Sequence, residues 1–78
     1  MKIKILGSGC SKCKTLTENT QTALTHLGMV AEIIKVTDYA EIAAHGVMST
    51  PALAIDDKVE SVGRVLLSAE IETLLQAR

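Results

Sequence analysis

The chain has 78 residues, 47% of them apolar, and a formal net charge of −1. That length suits one domain over residues 1–78, and the apolar fraction excludes wholesale disorder. With no basic run and Tyr39 as the only aromatic ring, it lacks both the cationic field and the stacking surface for non-specific nucleic-acid binding.

Lys2-Ile3-Lys4-Ile5 alternates polar and apolar, and Leu6 completes a first strand before Gly7 and Gly9 bracket a turn. From Ser11 to His26, apolar or small residues recur in steps of three and four at Cys13, Leu16, Thr20, Ala23, Leu24 and Leu27. This predicts a helix with one buried face, ended by Gly28. Met29–Val36 reads as a second strand, giving a parallel, right-handed βαβ unit.

Asp38 and Glu41 have capping-box spacing for a short helix that buries Ile42 and Tyr39 and stops at Gly46. Val47–Pro51 is a connection. Ala52–Ile55 and Lys58–Val62 form a hairpin around Asp56-Asp57, and a last helix from about Ser68 buries Ile71, Leu74 and Leu75. The order is β-α-β-α-β-β-α, an α/β fold with four strands and three helices.

The chemistry lies in Cys10 and Cys13, two residues apart where the first helix begins. Unpaired N–H groups and the helix dipole at such a terminus favour thiolate over thiol. An ordinary cysteine, with a pKa of about 8.5, is only about 3% thiolate at pH 7. Lowering it by about two units raises that to about three-quarters and takes roughly 2.7 kcal/mol. A structural staple is a poor alternative, because closing so short a loop removes only about 2 kcal/mol of unfolded-chain entropy.

No apolar run approaches the ~18 residues of a membrane span, and no signal core follows Lys2 and Lys4. A cytosolic location is therefore expected, where ordinary disulfides stay reduced and a cysteine pair points to redox or metal chemistry. The metal alternative is a soft ion such as Cu(I) held by Cys10 and Cys13. Zinc would need two more ligands, and His26 and His45 are the only imidazoles.

Gly7-Ser8-Gly9-Cys10-Ser11-Lys12-Cys13, Thr50-Pro51-Ala52-Leu53 and Gly63 after the fourth strand together resemble the thioredoxin/glutaredoxin superfamily. The likeness is greatest to its small prokaryotic thioredoxin-like "redox-active disulfide" branch. The resemblance implies a minimal thioredoxin-like fold, a four-stranded mixed sheet flanked by three helices. It implies a thiol-disulfide oxidoreductase, either a protein disulfide reductase or an electron carrier. Cys10 is then the attacking cysteine, Cys13 the resolving one, and Pro51 the cis proline beside the disulfide. Gly9, Ser11, Lys12, Thr50 and Gly63 are the expected substrate-contacting residues. No cofactor or resident metal is expected beyond the reversible Cys10–Cys13 disulfide. The expected partners of this monomer are a protein disulfide and an external disulfide reductase.

Three residues depart from the thioredoxin pattern. Gly9 stands where thioredoxins usually carry Trp, and Lys12 replaces the proline often found between the cysteines. Lys4 occupies the place of a buried acid that handles protons for the second cysteine. Lys4 is thus either a strand lysine reaching solvent or a modifier of cysteine pKa. Arg64 and Val65 after Gly63 are unlike the glutaredoxin pattern and count against glutathione use.

Overall fold

The computed structural model describes residues 1–7 and 11–77. Its elements are β1 (Lys2–Leu6), α1 (Ser11–Leu27), β2 (Glu32–Val36), α2 (Tyr39–Ala44), β3 (Ala52–Ile55), β4 (Lys58–Val62) and α3 (Ser68–Gln76). The strands form one mixed sheet in the order β2-β1-β3-β4. β1 runs parallel to β2 and antiparallel to β3, and β3 and β4 are antiparallel.

The pleat of β1 sorts its side chains onto two faces. Ile3 and Ile5 join Leu53 and Ile55 against Leu16, Ala23 and Leu24 of α1 and Ile71 and Leu75 of α3. Leu6 joins Val36, Ala52, Ile42 and Val47 in a smaller core under α2. The larger core therefore holds α1, the helix that carries Cys13.

α1 contains five threonines, which favour helix weakly. The Thr17 and Thr20 hydroxyls are buried and donate to the carbonyls four residues back, of Cys13 and Leu16, at 2.9 and 2.8 Å. Neither buried hydroxyl is left without an acceptor, so the apolar stripe tolerates them. Gly28, at φ +66°, closes the helix while the Gly28 and Met29 amides return to the Thr25 and Leu24 carbonyls.

That closure corrects the expected second strand. Met29 and Ala31 pack against the larger core from the connecting segment, and pairing starts only at Glu32. Tyr39 is also corrected: it opens α2 with 69% of its surface exposed, and only Ile42 of that helix is buried. Asp38 caps α2 by accepting from the Ala40 amide at 3.0 Å. At α3, Glu70 accepts from the Leu67 amide at 3.1 Å, and Leu74 is half-buried where full burial is expected.

Asp56 and Asp57 both have positive φ, 49° and 67°, and make the two-residue turn between β3 and β4. Asp56 accepts from the Lys2 amide at 2.9 Å, and Asp57 pairs with Lys4 at 2.8 Å. The turn thereby fastens the hairpin to the start of β1.

Candidate functional site

The opposite end of the sheet gathers the site. Gly7 leaves β1 with its amide bonded to the Val36 carbonyl at 2.9 Å, and it is buried. A β-carbon added to Gly7 would collide with Cys13 Sγ and lie 3.6 Å from Thr50 Cβ. Three distant pieces of chain thus meet at one point: the end of β1, the first turn of α1 and the loop before β3.

Pro51 is fully buried and follows a cis peptide bond from the exposed Thr50. Its carbonyl accepts from the Gly63 amide at 2.9 Å, tying the loop to the end of β4. Gly63 sits at φ +70°, and a β-carbon there would come within 3.2 Å of Ser49 Cβ. Cys13, Thr50, Pro51 and Gly63 therefore belong to the same end of the molecule. Met48, in that loop, is 94% exposed.

Cys13 retains only 5% of its surface. Ser11 and Lys12 stand exposed beside it in the first turn of α1. Gly9 and Cys10 lie outside the described residues. The first turn of α1 carries no acid but does carry Lys12 and Lys14. Cations near a helix N-terminus disfavour the helix by about 0.3–1 kcal/mol each. The same charges favour a thiolate, so this local cost has a chemical counterpart.

Lys4 is not brought to this site. It shares a sheet face with Leu6 and Ala54, opposite the face that packs on α1, and its Nζ is 2.8 Å from Asp57 Oδ1. The hydrogen bond and charge of Lys4 hold the exposed Asp57 carboxyl below its ordinary value. Its role is therefore at the hairpin turn.

Two residues absent from the sequence reading do approach Cys13. Lys35 and Thr37, at and beyond the end of β2, line a cleft of about 230 Å³ with Ile5, Gly7, Cys13, Lys14 and Thr17. The register pairs Lys35 with Ile5. Lys35 therefore sits on the α1 side of the sheet, the face that Lys4 lacks.

Among the described residues, no group of three or more His, Cys, Asp or Glu side chains is placed to hold a metal ion. His26 lies near the far end of α1, where Nδ1 is 3.2 Å from Glu72 Oε2. No helix among the described residues is long and apolar enough to cross a membrane.

The thioredoxin domain family matches residues 1–76. A thioredoxin of Methanothermobacter thermautotrophicus is 37% identical over 75 residues, spanning 96% of this chain and 97% of its own. A thioredoxin of Methanocaldococcus jannaschii is 43% identical over 75 residues, spanning 96% of this chain and 86% of its own. Agreement along nearly the whole length, with a four-stranded mixed sheet and three helices in the matching order, makes this chain a member of the thioredoxin domain family.

Proposed function

We propose that this thioredoxin-like redox protein is a thiol-disulfide oxidoreductase working through Cys10 and Cys13. The observation that supports it best is the convergence of Cys13 Sγ, Gly7 and Thr50 next to the buried Pro51. In the proposed cycle, the Cys10 thiolate attacks one sulfur of a client disulfide and expels the other as a thiolate. Cys13 then loses its proton and attacks the Cys10 sulfur, releasing the second client thiolate. Two electrons have passed to the client, and the Cys10–Cys13 disulfide remains for an external disulfide reductase to reduce.

Each surrounding residue has a part in that cycle. An extended client segment runs along the exposed Thr50 backbone, with Ser11 and Lys12 beside it and Gly63 leaving room above Ser49. Gly9, in place of Trp, reduces the apolar docking area next to Cys10. Pro51 closes the site from beneath and keeps Thr50 in reach of Cys13. The proposed cycle suits a reducing cytosol and needs no metal or organic cofactor.

Cys13→Ser leaves Cys10 able to attack but removes the group that resolves the mixed disulfide. This variant should accumulate a client-linked species that a dithiol reductant releases, and Cys10→Ser should not. If the oxidised wild-type protein resists dithiols until it is unfolded, the exchange cycle is excluded.

A further inference from the structure

The cycle above makes no use of the cleft on the β2 side of Cys13. Its volume of about 230 Å³ is below the roughly 300–1,000 Å³ of pockets that enclose drug-sized molecules. It suits a ligand of few atoms better than a peptide segment. Ile5, Gly7, Cys13 and Thr17 are its buried walls, and Lys14, Lys35 and Thr37 are its exposed rim.

The charge of the cleft is one-sided. Among the described residues, Lys14 and Lys35 are the only charged side chains lining it, and neither forms an ion pair. Lys4, Lys58 and Arg64 each have a carboxylate partner, whereas Lys2 and Lys12 have none among the described residues but do not line this cleft. The chain as a whole carries a net charge of −1, so two unneutralised lysines at one opening are a local arrangement. The N-terminal end of α1 adds positive potential from the same side.

We propose that this cleft binds a small oxyanion between the Lys14 and Lys35 ammonium groups, and that its occupancy opposes the reaction of Cys13. The Thr37 hydroxyl supplies a hydrogen bond at the rim, while the Thr17 hydroxyl is already committed to the Cys13 carbonyl. A bound anion and a Cys13 thiolate repel across the same small space, so each weakens the other reciprocally. Among the described residues, the charges facing this space come from α1 and β2, whereas β1 contributes only Ile5 and the turn after it only Gly7. The oxyanion class is phosphate, carboxylate or sulfonate. The link to reactivity rests on Cys13 being the resolving thiol; the binding itself does not.

The test titrates the full isotopically labelled chain, oxidised and reduced, with inorganic phosphate, acetate or methanesulfonate at constant ionic strength. Saturable amide shifts at Gly7, Thr17 and Thr37 are expected, with a dissociation constant on the order of a millimolar for the preferred anion. Lys14→Gln combined with Lys35→Gln should weaken that binding at least about tenfold, because both contacts are charge-assisted. Both lysines are exposed, so the fold should persist. Saturating anion should slow alkylation of Cys13 several-fold in the Cys10→Ser protein, roughly as expected for an added like charge.

Absence of saturation with all three anions, or equal binding by the double glutamine variant, would overturn the site. Saturable binding with an unchanged Cys13 alkylation rate would overturn the coupling. Failure of the redox reading would show separately, as an oxidised protein that dithiols cannot reduce, with the anion titration unaffected.

Discussion

Gly7 and Cys13 are packed so closely that the space for a β-carbon at residue 7 is already occupied by the Cys13 sulfur. The turn after β1 therefore needs glycine for room. It does not need glycine for backbone freedom, since Gly7 is absent from the positive-φ glycines. Gly7→Ala should force α1 away from the sheet edge and cost about 1–3 kcal/mol, the usual range for overpacking. Denaturant unfolding gives the stability change. Rates of client-disulfide reduction should fall further than stability alone explains, because Cys13 is displaced from Thr50.

Gly63 combines a positive φ with a close neighbour. Gly63→Val at φ +70° introduces backbone strain of about 1–3 kcal/mol and drives a side chain against Ser49. If client chain crosses this point, KM for a protein disulfide should rise while reduction by a small dithiol stays near the wild-type rate. Equal losses with the protein disulfide and with the small dithiol would place Gly63 outside the client path.

Much of this arrangement was legible in the residues. The β3 and β4 boundaries follow from short alternating or apolar runs around Asp56-Asp57, and α1 follows from its buried stripe. The misread stretch, Met29–Ala31, is apolar because it packs on the core after the helix cap, and composition cannot separate such a segment from a strand. Tyr39 invites burial by its type, but the first position of α2 faces it outward.

The site was legible where a glycine, proline or cysteine marks it, as at Cys13, Pro51 and Gly63. Lys35 was not, because its approach to Cys13 depends on which strand lies beside β1 and in what register. The same reason left both readings of Lys4 open. Alternation puts Lys4 on the face opposite Ile3 and Ile5, but it does not say which of the two faces the cysteine-bearing helix covers.

Lys4 and Asp57 give a titration with a definite sign. Lys4 lowers the Asp57 pKa in the folded protein. Its stabilising contribution is therefore present above the unfolded value of about 3.9 and is lost as pH falls through the lower folded value. Carboxyl NMR shifts should show the Asp57 midpoint below that of an ordinary aspartate, rising towards it in Lys4→Met. The reduction potential of the cysteine pair should not follow, because Lys4 is held at the turn on the other face. A matching change in potential would return Lys4 to the redox site.

Leu16 has no exposed surface and joins α1 to the larger core one turn beyond Cys13. Leu16→Ala should cost about 2–5 kcal/mol through lost burial and the cavity left behind. A domain of this length has a total stability of only roughly 4–12 kcal/mol. The variant should thus unfold at much lower denaturant concentration, with calorimetry checking the loss. Cys13 reactivity should become less selective, since its helix is no longer held against β1.

The Asp56-Asp57 turn also determines how the protein can be held. It grips the backbone and side chains at the start of β1, while the Met1 carbonyl accepts from the Glu32 amide at 3.0 Å. Residue 1 thus lies at the pole of the sheet remote from Cys13, separated from it by the whole of β1, roughly 15 Å at about 3.3 Å per residue. A tether at that pole, whether a resin, a fused domain or a fluorescent label, leaves the cysteine end facing outward. Immobilised protein should consequently capture clients as readily as protein in solution.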